Sequence, residues 1–189
     1  MARRGRKPAG PKKVSYELIP RDTDIGKPMY ALLDELVEKY HDDVQYARVA
    51  LAWCTSWRAD VDGHQILGKC KRASDLDREL ADFDFVILLQ RSFWNSISVT
   101  PAQRAALLDH ELCHAAPKLD KYGDYLEDER GRRVYRTRKH DIEEFTAIVE
   151  RHGVWKRDLE RFAAALHRSA QGELDLKGQT ETGTAPTVN

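Results

Sequence analysis

No stretch of this chain approaches the roughly 18 to 20 consecutive apolar residues that a membrane-spanning helix needs, and its basic start is not followed by an apolar leader segment. Cysteine is scarce: Cys54, Cys70 and Cys113 are the only three, an odd number without CxxC spacing. That excludes a disulfide scaffold and leads to the expectation of reduced thiols in a cytoplasm. Internal repeats are absent, which excludes a solenoid or propeller. Net charge is also missing, since 31 basic side chains balance 31 acidic ones. What is present is a chain of 189 residues with 41% hydrophobic content, suited to one globular domain with a real core.

The zero net charge conceals an uneven distribution. Residues 1–13 carry six basic side chains (Arg3, Arg4, Arg6, Lys7, Lys12, Lys13) and no acidic one, leaving 25 basic against 31 acidic groups in the rest. This Gly- and Pro-containing arm has little to bury and reads as disordered. Residues 170–189 are polar and rich in breakers from Gly172 onward, and read as a second disordered tail. The folded domain is therefore expected over residues 14–169.

Within it, Pro28 introduces a helix over Met29–Tyr40, where Leu32, Leu33, Leu36 and Val37 recur at helical spacing. Val44–Thr55 suits a strand, and Val61-Asp62-Gly63 suits a turn from which Ile66–Lys71 pairs back as a hairpin partner. Cys54 and Cys70 would approach one another across that hairpin as buried thiols. Ser74–Leu80 reads as a short helix, and the continuous apolar run Asp84–Gln90 as a buried strand. Thr100-Pro101-Ala102-Gln103 combines an N-cap, a first-turn proline and a capping-box glutamine, predicting a helix from there to about Ala116, stopped by Pro117. A hairpin-like loop turning at Asp128–Gly131 should follow. Two helices then close the chain, about Asp141–His152 capped by Gly153 and about Trp155–Arg168. The sum is an α+β fold, a small sheet packed with helices.

The Thr100 helix contains His110-Glu111-Leu112-Cys113-His114, an HExxH. Residues four apart come within about 40° of a full turn, so both imidazoles project from one face and can ligate one ion. Glu111, rotated about 100° from His110, flanks the ion and can take a proton from its water. Ala105, Leu108, Leu112 and Ala115 form an adjacent apolar arc that should pack on the sheet. Cys113, about 300° from His110, is expected to point into packing. A catalytic zinc takes three protein ligands and keeps one position for water. His140 is the candidate third ligand, sharing a predicted helix face with Glu143, Glu144 and Ala147 opposite Ile142, Phe145 and Val149. Glu144 or Glu143 could instead ligate, or orient a ligating imidazole.

HELCHA, followed after an insertion by KHDIEEF and RHG, resembles the phage metallopeptidase family. It is more distantly similar to SprT-like and Spartan-type proteases, whose HExxH helix is followed by a third His in an HGxxF-like segment. In this chain that segment is His140-Asp141-Ile142-Glu143-Glu144-Phe145, with Asp in place of Gly and one extra residue before Phe. The resemblance implies a zincin-like fold, one Zn2+, peptide-bond hydrolysis and His140 as third ligand. If phage-encoded, the protein is expected in the host cell cytoplasm.

Arg3-Arg4-Gly5-Arg6-Lys7-Pro8 resembles an AT-hook core, making Arg3, Arg4, Arg6 and Lys7 candidate DNA contacts. Any such flexible basic segment also has nonspecific, salt-sensitive phosphate affinity. His152 is best placed to serve its helix C-terminus, and Tyr122, Tyr125 and Tyr135 lie where a phenol could steady an oxyanion. A competing class is a metal-stabilised, DNA-associated or regulatory binding domain without turnover. The residue that separates the two is Glu111, which a structural ion would not need.

Overall fold

The computed structural model describes residues 15–57, 61 and 63–181. The basic arm and Asp62 of the predicted turn lie outside the described residues, as do residues 182–189. The chain divides into two compact units, one up to Arg138 and one from Lys139 onward. The architecture is α+β, as the element pattern predicts.

The first unit is built on a four-stranded sheet of β1 (Tyr16–Ile19), β2 (Val49–Cys54), β3 (Gly68–Arg72) and β4 (Phe85–Gln90), in the order β1-β2-β4-β3. β2 and β4 are parallel central strands, paired from Val49↔Phe85 to Cys54↔Gln90, while β1 and β3 are antiparallel edges. Their positions explain their composition. β2 and β4 are buried on both faces and so are apolar up to the terminal Gln90 of β4, whereas β3 buries only Cys70 among its five residues.

The expected β2–β3 hairpin does not form. The Ile66–Lys71 segment yields β3, but its partner is β4, with Cys70 opposite Ile87, so β4 separates Cys54 from Cys70. The start of the predicted 44–55 strand is also different: Asp42–Val44 is a 3-10 turn, and strand geometry begins at Val49.

Helix α1 (Gly26–Tyr40) buries Met29, Tyr30, Leu33 and Leu36, and the Tyr30 hydroxyl accepts the Leu51 N–H at 2.9 Å. Helix α2 (Asp75–Ala81) opens on a reciprocal Ser74–Asp77 capping box. The short α3 (Arg91–Trp94) follows β4 and sets Trp94 edge-on to Trp53 at 6.3 Å between ring centroids. Helix α4 (Pro101–Cys113) packs with α1 and β3. It ends three residues earlier than predicted, because Ala115–Pro117 leaves as a strand, β5, that pairs with β6 (Tyr135–Thr137). The intervening loop turns at Asp128–Gly131 as expected, with Gly131 at φ 71° and its N–H on the Asp128 carbonyl at 2.9 Å.

A buried ion pair ties this loop to the sheet. Arg78 Nε donates to Asp84 Oδ1 at 2.8 Å, and Arg78 Nη2 donates to the Arg133 carbonyl at 3.0 Å. Asp84 also accepts the Arg48 backbone N–H at 2.8 Å. The carboxylate is thereby multiply hydrogen-bonded, the condition under which a buried charge is tolerated.

In the second unit, residues 139–145 are not helical; α5 is Thr146–His152, ended by Gly153 at φ 67°, and α6 is Arg157–Glu181. The predicted helix start at Asp141 is thus corrected to Thr146. Lys156 holds this unit's turn by reaching Glu144 Oε2 at 3.3 Å, Asp158 Oδ2 at 3.4 Å and the Glu143 carbonyl at 3.2 Å.

Candidate metal centre

α4 begins where local chemistry dictates. The Gln103 N–H donates to Thr100 Oγ1 at 3.2 Å and the Thr100 N–H to Gln103 Oε1 at 2.8 Å, with Pro101 in the first turn. Leu108 and Leu112, one turn apart, are fully buried and belong to the main core. This anchoring fixes the helix's rotation and with it the adjacent arc.

On that arc, the His110 and His114 ring centroids are 5.2 Å apart with planes at 81°. Each ring offers a nitrogen within 4.8 Å of the other's. His114 is the C-cap of α4, and its Nδ1 lies 2.6 Å from the Arg138 carbonyl oxygen. A carbonyl can only accept, so Nδ1 carries the proton and Nε2 is the lone-pair nitrogen of the neutral ring. The Arg138 N–H returns a 2.8 Å bond to the His114 carbonyl, so the chain leaving β6 is fastened to the motif on both sides.

Glu111 is turned inward and only 3% exposed. Burial raises its pKa above the ordinary carboxylate value, while the hydrogen bond donated by the Cys70 backbone N–H and the proximity of His114 act in the opposite direction. Its Oε2 is buried and has no hydrogen-bond partner among the described residues. The Cys70 thiol, buried beside this carboxylate, is pushed up to about 12 by desolvation and then by the Glu111 charge.

Gly68 makes room for this arrangement. A Cβ there would stand 2.4 Å from Glu111 Oε1 and 2.8 Å from its Cδ and Cγ. A glycine opening a strand signals close backbone approach, and that was the available sequence clue to a residue the motif alone does not reveal. Alongside lies a groove of about 500 Å³ lined by Ile66, Leu67, Phe93, Leu107, His110 and Glu111. A larger cavity of about 660 Å³, between α1 and the β1–β2 edge, contains none of the candidate residues.

Other candidates are placed as follows. His140 is the second residue of the second unit, exposed and in non-helical backbone, so the helix face expected for His140, Glu143, Glu144 and Ala147 does not exist. Glu144 is occupied within its own unit: the Phe145 N–H and the Lys156 ammonium hold its carboxyl below the usual range. Cys113 is exposed rather than packed, correcting the inward orientation expected from the helical wheel. Tyr135 is buried edge-on against Phe85 at 5.4 Å and Tyr125 lies under the Arg133 guanidinium at 4.0 Å, which gives both packing roles. Arg3, Arg4, Arg6 and Lys7 lie outside the described residues.

Residues 27–166 match the family described as "Putative phage metallopeptidase". The chain belongs to that family. Membership implies a metal ion and a protein or peptide substrate, and the match spans the whole of α4. No curated protein and no solved structure matches, and the comparisons do not join the family member to SprT-like or Spartan-type proteases. Among the described residues, no helix is long and apolar enough to cross a membrane.

Proposed function

We propose that the protein is a zinc-dependent metallopeptidase of the zincin type, with His110 and His114 as metal ligands, His140 as the third, and Glu111 as general base. The observation that carries this reading is the pairing of two imidazoles at 5.2 Å with a buried carboxylate whose Oε2 has no hydrogen-bond partner among the described residues. The imidazole spacing suits a zinc ion. With Zn–N of about 2.0–2.1 Å, roughly 1.1 Å from nitrogen to ring centre and a tetrahedral angle, two ligating rings have centroids about 5.2 Å apart. An unsatisfied buried oxygen is costly to keep, and a water held at the metal would satisfy it.

Support for His140 comes from chain connectivity. Arg138 is fastened to His114 by two hydrogen bonds, and two further residues span at most about 7 Å. His140 follows two residues after that fastening, whereas Glu144 is already engaged by Lys156. The His114 Nδ1–H bond to Arg138 would also fix that ring's tautomer, presenting Nε2 to the ion.

A zinc ion there would supply a Lewis acid, bringing the pKa of water toward 7 and polarising the scissile carbonyl. Glu111 then receives the proton of the attacking water and delivers it to the leaving amine. Its buried position beside His110 and His114 holds the carboxylate where it can make this transfer. Ile66, Leu67, Phe93 and Leu107 offer an apolar groove beside His110 and Glu111, suited to an apolar substrate side chain next to the scissile bond.

The six basic residues of the 1–13 arm extend the proposal. They would hold the enzyme on nucleic acid by salt-sensitive phosphate contacts and direct it to DNA-associated proteins in the host cell cytoplasm. Deleting the arm should reduce DNA retention at low salt.

The deciding experiment compares Glu111→Gln with wild type on a generic unfolded protein while metal content is measured. Zinc retained with cleavage lost supports the peptidase; equal behaviour of the two proteins refutes it in favour of a binder without turnover.

A further inference from the structure

α4 carries a second pair of potential donors one turn apart. Asp109 and Cys113 each precede a member of the histidine pair by one position, so they lie on a face rotated about 100° from it. His41, the C-cap residue of α1, stands against this face. Its N–H is bonded to the Val37 carbonyl at 3.0 Å, its ring is buried, and its Nε2 lies 2.6 Å from Asp109 Oδ1. Cys113 Sγ joins them: one ligand atom from each of the three residues lies within 4.8 Å of the other two.

We propose that His41, Asp109 and Cys113 form a second divalent-cation site, separate from the centre at His110 and His114 and not dependent on it. The donor set is one imidazole, one carboxylate and one thiolate, the three side-chain types that bind zinc. Carboxylate and thiolate together neutralise a doubly charged ion. Three elements of the arrangement fit the task. His41 is a rigid, buried anchor; Asp109 is half-buried; exposed Cys113 gives the ion a path in and leaves a fourth position to water. A His–carboxylate bond that served packing alone would need no sulfur within reach.

Ligands around zinc at about 2.0–2.1 Å are roughly 3.3 Å apart, so the 2.6 Å contact between His41 and Asp109 must open by about 0.7 Å when an ion enters. Asp109 can provide this by a side-chain rotation toward solvent. The thiol proton and the proton shared between His41 and Asp109 pass to solvent as the three donors close on the ion.

Cobalt separates the two centres, because only a thiolate ligand produces sulfur-to-cobalt charge-transfer absorption in the near ultraviolet. The full chain should show that band on titration with Co2+ and bind two equivalents of Zn2+ in equilibrium dialysis. Cys113→Ser should lose the band and one equivalent. The His110→Ala/His114→Ala double variant should keep the band while losing the other equivalent. If Cys113→Ser fails to fold by circular dichroism, Asp109→Asn serves instead, with the band displaced to higher cobalt concentration. Absence of the band in wild type, or a band unchanged in the variants of this cluster, overturns the second site. An unchanged stoichiometry in the double histidine variant would instead count against the centre on the other face.

Discussion

Replacing Gly68 by alanine tests whether the position of Glu111 matters. The added Cβ would stand 2.4 Å from Oε1, and ordinary contact begins at 3.4 Å, so the carboxylate must retreat by about 1 Å, enough to cost on the order of a hundredfold in rate where alignment matters. Turning the carboxylate alone does not relieve the clash, because Cγ is also within 2.8 Å of the new atom. Alanine in a strand gains roughly 0.5–1 kcal/mol over glycine, against about 1–3 kcal/mol for overpacking, leaving a net change between about zero and a loss of about 2.5 kcal/mol. The assay is kcat/KM on a generic unfolded substrate, with metal content and thermal unfolding measured on the same sample. The expected result is a loss of about a hundredfold at full metal load in protein that remains folded, with Tm lowered by at most about 10 °C. A fully loaded Gly68→Ala protein within about twofold of wild type would refute the link between this close approach and the base.

Glu111→Gln has a pH signature in the metal-free protein. Burial raises the folded-state pKa of Glu111 above its unfolded value, so its contribution to stability is fully present below the ordinary carboxylate range and is lost as pH rises through the raised value. Glutamine mimics the protonated form throughout. The variant should therefore be more stable than wild type at neutral pH, with the gap closing in acid; denaturant unfolding at both pH values checks the sign. Thr100→Ala removes the cap of α4 and should cost about 1 kcal/mol, visible as a lowered Tm, while Thr100→Asn should not. Arg78→Ala removes one of the two guanidinium partners of buried Asp84, leaving Arg48 Nε at 3.2 Å, and urea unfolding should register a loss of about 1–3 kcal/mol. Removing metal with a chelator should abolish cleavage and adding Zn2+ should restore it, with activity recovered in proportion to bound metal.

Features written in short stretches of residues are the ones that could be read directly. The start of α4 depends on Thr100, Pro101 and Gln103 alone, and the structure contains that capping box. α2 begins at its Ser74 cap for the same reason. The apolar run of β4 announces a strand covered on both faces, and the four-residue spacing of His110 and His114 places two rings on one helical face.

Features requiring a distant partner are not legible in a short stretch of residues. α4 ends at Cys113 because Ala115–Pro117 pairs with Tyr135–Thr137, a competition that nothing within the helix announces. β3 turns to β4 rather than β2, although both orders satisfy the same turn chemistry and the same alternation. His140 has helical spacing to its neighbours, yet α5 begins only at Thr146.

The sequence by itself determined the chemistry available to this protein, because one helical turn brings two imidazoles together and puts a carboxylate beside them whatever surrounds the helix. Only the tertiary structure decided how that carboxylate is conditioned. Its burial against β3, the room left by Gly68 and the bond from the Cys70 N–H all come from a strand about forty residues away in the chain, and the fastening of His114 to Arg138 comes from another. Helical geometry is local and periodic; desolvation is a property of whatever packs on the helix, and that depends on the whole fold.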